Sequence, residues 1–312
     1  MAGSSGEVIK SLIVNAIIAV SKGVAAVITG SGAMLAETLH SFADCGNQIL
    51  LLQGIKASHK PPDAKHPFGY GRNMYFYSFI VALLLFSGGG VFSIYEGIHK
   101  FGTPEKVGDI GVALIILAIS ILLEGWSTLG NIKVMNQRRG STPFFKYLKD
   151  SKDSDLIVVF GENSAAVLGL VFAGVAIIIA KITDDGRWDA VGSLAIGVVL
   201  VGVAIFLARE IKGLLVGEAA DPKLIDTVGE LARANAHIEK VVQLLSIQQG
   251  PGEILVAMKL KFSKGLDSDA LVDVINDFEK ALRAQIPEAK WCFIEPDREM
   301  GKDDVGAHGA LA

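Results

Sequence analysis

Four polar side chains follow one another at helical spacing within an otherwise apolar stretch. Glu37, His40, Asp44 and Asn47 are separated by steps of three, four and three residues, and these steps place all four on one face of a helix. His40 and Asp44 are four residues apart, so their Cβ atoms lie about 6 Å from each other. An imidazole and a carboxylate at this spacing either close on one divalent ion or hydrogen bond to each other. The pair therefore predicts a metal site, with a helix-packing contact as the alternative.

A second polar pair lies early in a later apolar stretch. Glu162 and Asn163 precede Ser164, Ala165 and Ala166, small residues that let a neighbouring helix approach closely. An ionisable group in a membrane helix costs about 2.5–3.5 kcal/mol on insertion scales, so each such group is a functional candidate. Glu162 is accordingly predicted either to join the metal site or to be solvated near the membrane surface.

The remaining candidates are weaker. Glu124 is a candidate either for a proton carrier or for a partner of Ser120 or Thr128. Asp189 is predicted to be an acid favoured by the dipole at the start of its own helix. The chain has only two cysteines, Cys45 and Cys292, which excludes a disulfide framework and a thiolate zinc finger. The ligands must then come from His, Asp, Glu or Asn, and no resident cofactor is required.

Composition predicts that these residues lie in a membrane. Of the 312 residues, 51% are hydrophobic and only 20% are charged, and the mean hydropathy is +0.45. Six apolar stretches each exceed the roughly 20 residues that a helix needs to cross a bilayer. They are Val8–Thr29, Ala33–Ile55, Met74–Ile98, Gly108–Val134, Asp155–Ala180 and Trp188–Leu215.

The distribution of positive charge predicts the orientation. The connections after the second and fourth stretches carry ten Lys and Arg residues, whereas those after the third and fifth carry four and that after the first carries none. Positive loops stay in the cytoplasm, so both termini are expected there. The net charge of −4 with mixed signs excludes a basic nucleic-acid-binding protein.

The C-terminal part has the composition of a soluble domain. Its pattern predicts the order αββαβ, a two-layer sandwich with helices on one face of a sheet. The elements are helix Asp221–Asn235, strands Val241–Gln248 and Glu253–Phe262, helix Ser268–Ala284 and strand Trp291–Ile294. The expected domains are a six-helix transmembrane domain at 1–215, a cytosolic domain at 216–298 and a flexible tail at 299–312.

Four motifs together resemble the cation diffusion facilitators, a family of divalent metal exporters. They are Ser31–Asp44, His66–Arg72, the run Asp189-Ala-Val-Gly-Ser-Leu and the ending Cys-Phe-Ile-Glu-Pro-Asp at Cys292–Asp297. The resemblance covers roughly residues 8–298. It implies six transmembrane helices followed by a cytosolic ferredoxin-like domain, a homodimer, and alternating access by the second and fifth helices against the third and sixth.

The resemblance also implies a metal-ligand set. His40 and Asp44 match the family's transport-site pair, and Glu162 and Asn163 are carried over from the fifth helix, where the usual pair four residues apart is absent. A Glu-Asn step before Ser-Ala-Ala is similar to the subgroup that contains the animal mitochondrial zinc exporter. Asp63 and His66 match a loop metal site of some members, although they are equally compatible with a solvent-facing loop.

The functional prediction is therefore a secondary transporter that exports zinc in exchange for protons. Manganese, iron(II) or cobalt as cargo and a non-transporting membrane regulator remain as alternatives. A membrane metalloprotease is disfavoured because the chain has no His-Glu-x-x-His motif. The stretch before Val8 does not resemble an Arg-rich import leader, so the expected location is a bacterial inner membrane.

Overall fold

The computed structural model describes residues 2–104, 110–150 and 154–298, which form two compact units. The first unit comprises the described residues up to Lys60 and those from Asn73 to Lys212. The second comprises Pro61–Arg72 and the described residues from Gly213 onwards. The predicted tail at 299–312 and the predicted start of the fourth stretch at Gly108 lie outside the described residues.

The first unit is built from helices. Its long helices are apolar over most of their length, as the composition predicts. All the α-helices of this unit are α1 (Ala2–Thr29), α2 (Gly32–Ser58), α3 (Asn73–Leu84), α4 (Phe92–Gly102), α5 (Gly111–Arg139), α6 (Phe144–Asp150), α7 (Ser154–Thr183) and α8 (Arg187–Val216), as far as the described residues show.

Four helical segments are both long and apolar enough to cross a membrane. They are Asn73–Gly102, Gly111–Arg139, Leu156–Thr183 and Arg187–Val216. Helices α1 and α2 have 28 and 27 residues, which exceeds the roughly 20 residues that a span requires, but α2 is less apolar because it carries the predicted site. Six spans therefore stay a prediction, of which four meet both criteria.

The start of α2 is held by a buried carboxylate from α8. Ser31 caps the helix by accepting a hydrogen bond from Met34 N. Asp189 accepts hydrogen bonds from Ser31 Oγ at 2.5 Å, from Gly32 N at 2.6 Å and from Ala33 N at 3.4 Å. The carboxylate satisfies backbone N–H groups that have no partner within the helix. Asp189 thus serves the N-terminus of another helix as well as lying near the start of its own.

The segment between α3 and α4 is a π-helical turn, Leu85–Val91. The sequence did not predict this interruption, although π-turns are rare and occur frequently at functional sites. Glycines bring this turn and α4 into close backbone contact with α8. A Cβ atom at Gly197 would lie 2.8 Å from Ile94 N and 2.9 Å from Gly90 O. Only glycine fits there, so these two helices form a tightly packed pair.

The second unit confirms the predicted order αββαβ among its described residues. A three-stranded sheet has the order β1–β2–β3, with β1 and β2 antiparallel and β2 and β3 parallel. Its elements are α9 (Lys223–Ala234), β1 (Ile238–Gly250), β2 (Glu253–Phe262), α10 (Ser268–Gln285) and β3 (Ala289–Pro296). The two helices and the sheet share one hydrophobic core, which includes Val228, Val256, Leu260, Phe278 and Leu282.

The connection between α2 and α3 belongs to this second unit. Phe68 packs edge-on against Trp291 and Phe293 of β3, with ring centroids 5.6 and 6.5 Å apart. A Cβ atom at Gly71 would lie 2.8 Å from Gln249 O, so the loop backbone runs directly beside the end of β1. The sequence did not indicate that this loop packs on the C-terminal unit.

Candidate metal site

The predicted helical face of α2 is buried in the first unit. Glu37, His40, Asp44 and Asn47 are all at most 9% exposed, although they are polar residues in a mostly apolar helix. Helix α2 packs against α1, α3, α4, the π-turn and α7, which accounts for the burial. A face of this kind in a membrane protein marks a functional site by default.

His40 and Asp44 lie next to each other, as their spacing predicts. His40 Nδ1 is 3.6 Å from Asp44 Oδ1, which is too long for a hydrogen bond. Among the described residues, both ring nitrogens of His40 and Asp44 Oδ1 are buried without a hydrogen-bond partner. Buried polar atoms nearly always have a hydrogen-bond partner. Three neighbouring nitrogen and oxygen atoms without one are expected where a protein binds a metal ion. The packing hydrogen bond considered for this pair is not formed.

Glu162 reaches the same face of α2 but one turn further along. Glu162 Oε1 accepts a hydrogen bond from Asn47 Nδ2 at 2.6 Å, and Glu162 is only 7% exposed. The carboxylate is therefore buried and held by α2, and the alternative of a solvated surface position does not apply. Asn47 was assigned to this face by its spacing, but its pairing with Glu162 was not predicted.

Asn163 points to a different helix. Its Nδ2 donates a hydrogen bond to Ser127 Oγ on α5 at 2.9 Å, as expected for a neighbour that lies about 100° further round α7. Its role as a metal ligand stays a prediction. Among the described residues, no three His, Cys, Asp or Glu side chains lie close enough together to hold one metal ion. The His40–Asp44 pair and Glu162 are thus neighbours that do not converge in this conformation.

The loop candidates Asp63 and His66 lie together in the second unit. His66 Nδ1 is 3.5 Å from Asp63 Oδ1, and the His66 ring lies 4.2 Å from that of Tyr70. Asp63 accepts hydrogen bonds from the N–H groups of Lys65 and His66 and from the Tyr70 hydroxyl. The hydrogen bond from Tyr70 holds the pKa of Asp63 below its usual value. These contacts account for the loop conformation, and metal binding there stays a prediction.

Two buried charges outside the predicted ligand set lie beside the site. Lys22 of α1 donates hydrogen bonds to Glu37 Oε2 at 3.1 Å and to Ser41 Oγ at 2.8 Å, and Lys22 and Glu37 have no exposed surface. The sequence shows that this lysine lies within the first apolar stretch. It does not show the partner, because the residue that a buried lysine meets depends on how two helices pack.

Comparisons with known proteins identify the family of this chain. A family model described as the cation efflux transmembrane domain matches residues 8–216. The chain is 30% identical over 312 residues to the mitochondrial proton-coupled zinc antiporter SLC30A9 of Mus musculus, covering 98% of this chain and 55% of that protein. It is 28% identical over 239 residues to metal tolerance protein C4 of Arabidopsis thaliana, covering 75% and 52%.

A bacterial relative matches along most of both chains. Magnetosome protein MamB of Paramagnetospirillum magneticum is 25% identical over 279 residues, which cover 86% of each protein. The chain spans about half the length of the mouse and plant relatives. The family model covers well over half of this chain, and it matches the region that contains the buried polar face of α2. The chain therefore belongs to the cation efflux family, the cation diffusion facilitators.

Proposed function

We propose that this protein exports zinc from the cytoplasm in exchange for protons, and that the ion binds at His40, Asp44 and Glu162. Family membership supports a membrane transporter of metal cations rather than an enzyme. The observation that carries the proposed site is the set of buried donor atoms of His40 and Asp44 that lack a hydrogen-bond partner among the described residues. An ion in their midst would satisfy them together.

The chemistry of the ligands favours zinc as the cargo. Zinc binds imidazole nitrogen and carboxylate oxygen, commonly in a tetrahedral site. One imidazole and two carboxylates, completed by an amide oxygen or water, meet that preference. A site with more oxygen ligands would discriminate less against manganese, iron(II) and cobalt. The name of the mouse relative, a zinc antiporter, points the same way.

Proton coupling follows from the same ligands. A histidine or carboxylate binds a metal only in its deprotonated form, so metal binding releases protons. Each of the three side chains then either coordinates the ion or binds a proton. This competition provides exchange without a separate proton pathway.

The conformation described here requires a movement before all three ligands can meet. Glu162 is held by Asn47, one turn away from Asp44. We infer that α7 shifts along α2 by about one turn, or that the Glu162 side chain exchanges Asn47 for the ion. The close backbone packing of α4 and α8 suits them as the scaffold against which α2 and α7 move.

The rest of the predicted architecture forms part of the proposal. It comprises six spans, the division at 1–215, 216–298 and 299–312, a ferredoxin-like cytosolic domain, a homodimer, both termini in the cytoplasm and residence in a bacterial inner membrane. The αββαβ order supports the domain type. The orientation is tested by cysteine-accessibility labelling from either side of the membrane.

A reconstituted transport assay tests the function. Purified protein in liposomes should move zinc when a proton gradient is applied, reported by a zinc dye and a pH dye inside the same vesicles. Asp44→Asn should lower the zinc flux by at least about tenfold, because a charged ligand is lost. The matched control Asp226→Asn changes an exposed carboxyl in the first turn of α9 and should leave the flux unchanged.

The same assay separates the alternatives. If the wild type moves manganese, iron(II) or cobalt but no zinc, the proposed cargo is wrong and the proposed site stands. A wild-type protein that moves none of these ions would favour a non-transporting regulator. Normal zinc flux in Asp44→Asn would show that the ion binds elsewhere.

A further inference from the structure

Lys22 is a fully buried cation on α1, about two turns before the end of that helix. Its ammonium group donates to Glu37 Oε2 and Ser41 Oγ, both on α2. Ser41 directly follows His40 in the chain, and Glu37 precedes His40 by three residues. The positive charge is therefore fixed beside the proposed ion site, although an ammonium group cannot itself bind a metal ion.

Glu37 is the natural competitor of the proposed ligands. Residues three apart on a helix are neighbours, so the Glu37 carboxylate lies one turn from the His40 ring on the same buried face. One of its oxygens, Oε2, is held by Lys22. The other, Oε1, is buried without a hydrogen-bond partner among the described residues. Gly169 of α7 leaves space for this oxygen, since a Cβ atom there would overlap it.

Packing alone does not explain the pair. Removing two charges from water is costly, and an apolar pair of similar volume is often at least as stable as a buried ion pair. The cost is larger still in a membrane helix. An ion pair retained next to a cation site is better explained by its effect on the charge of that site.

We propose that Lys22 is a specificity-determining positioning residue, which neutralises Glu37 and keeps its carboxylate out of the coordination of the transported ion. This inference rests on the proposed function, because it assumes that the ion binds at His40 and Asp44. With Lys22 in place, the ion meets one imidazole and two carboxylates and is able to leave. Without Lys22, Glu37 adds a negative charge and two oxygen ligands, so the ion is held more tightly and released more slowly.

Charge substitutions distinguish this role from simple packing. The pair has no net charge; Lys22→Met removes its positive member, and Glu37→Gln removes its negative member. A divalent cation feels both changes strongly in a medium of low dielectric constant. The two single variants should therefore shift the affinity for the ion in opposite directions, whereas two lost packing contacts would shift it in the same direction.

The experiment measures zinc flux against zinc concentration in liposomes. Lys22→Met should lower both KM and kcat by about fivefold or more, and Glu37→Gln should raise KM by about fivefold or more. The double variant Lys22→Met/Glu37→Gln should return KM to within about threefold of the wild type, because the net charge is restored. Lys133→Met, the same substitution at an exposed position of α5, is the matched control and should match the wild type.

Ion preference provides a second readout. Lys22→Met should raise the preference for manganese over zinc, measured as the ratio of their KM values, because manganese favours oxygen ligands. The inference is overturned if both single variants shift KM in the same direction, if the double variant fails to restore it, or if the metal preference of Lys22→Met is that of the wild type. If Lys22→Met fails to fold, the KM values of Glu37→Gln and of the double variant test the inference in its place.

The failure of this inference is distinct from the failure of the proposed function. If the wild type transports zinc, Asp44→Asn does not, and Lys22→Met keeps the wild-type KM, only the role of Lys22 is wrong. If the wild type shows no saturable uptake of any of these ions, the proposed function is wrong and the inference fails with it.

Discussion

Replacing Asp189 with alanine tests how strongly the start of α2 is held. The carboxylate accepts two short hydrogen bonds, from Ser31 Oγ at 2.5 Å and Gly32 N at 2.6 Å, and a long one from Ala33 N at 3.4 Å. Hydrogen bonds to a charged group contribute about 1.5–3 kcal/mol each. Asp189 is 2% exposed, so water does not readily replace the lost acceptor. Counting the two short bonds, Asp189→Ala should lower the free energy of unfolding by about 3–6 kcal/mol.

The assay is reversible unfolding of the purified protein in mixed micelles with increasing dodecyl sulfate, followed by circular dichroism. Asp189→Asn keeps one acceptor oxygen, so it should cost about half as much as the alanine variant. The control is Asp185→Ala, which removes an acceptor for Arg187 N at a more exposed position before α8 and should cost about 0.5–1 kcal/mol. Equal losses in Asp189→Ala and Asp185→Ala would refute the reasoning that burial makes this cap strong.

Three further predictions concern other parts of the chain. Gly197→Ala should lower the free energy of unfolding by about 1–3 kcal/mol or more because its Cβ has no room; Gly202→Ala, with nothing within 4 Å, should not destabilise in the same assay. Burial raises the pKa of Cys292 to about 11, so only about 0.1% of this thiol is ionised at pH 8. Labelling of Cys292 by a maleimide, measured by mass spectrometry, should therefore be slow until the protein unfolds. Rapid labelling of the folded protein would contradict this prediction. Tyr70→Phe should raise the pKa of Asp63 towards its usual value, which carboxyl NMR measures. A pKa that is lower in the folded loop than in the unfolded chain stabilises the loop at neutral pH, and this stabilisation is lost as the pH falls through the folded-state pKa. Because that pKa is higher in the variant, its loop should lose order at a higher pH than the wild-type loop.

Much of the fold was predictable because hydrophobic pattern and turn residues act locally. Strand β2 has the predicted bounds, Glu253–Phe262, since Gly252 and the end of the alternating pattern mark both ends. Other boundaries moved by a few residues: the sixth stretch, predicted to begin at Trp188, begins at Arg187. The π-turn at Leu85–Val91 was missed because one extra residue in a helical turn hardly changes an apolar pattern.

The arrangement of the candidate site residues was predictable only where they lie on a single helix. His40 and Asp44 are neighbours because four residues make about one helical turn. The pairing of Asn47 with Glu162 and that of Lys22 with Glu37 depend on the rotation and depth of one helix against another. Periodicity gives the buried face of each helix, but it does not say which residues of two faces meet at the same level.

The glycine packing of α4 on α8 has a practical consequence for measuring motion. Two helices whose backbones lie in contact at Gly97 and Gly197 cannot slide past each other without a collision of main-chain atoms. Spin labels on the outer surfaces of α4 and α8 should therefore keep one narrow distance distribution throughout the proposed transport cycle. That pair supplies a fixed reference distance, against which labels on α2 and α7 would test the movement proposed for these two helices.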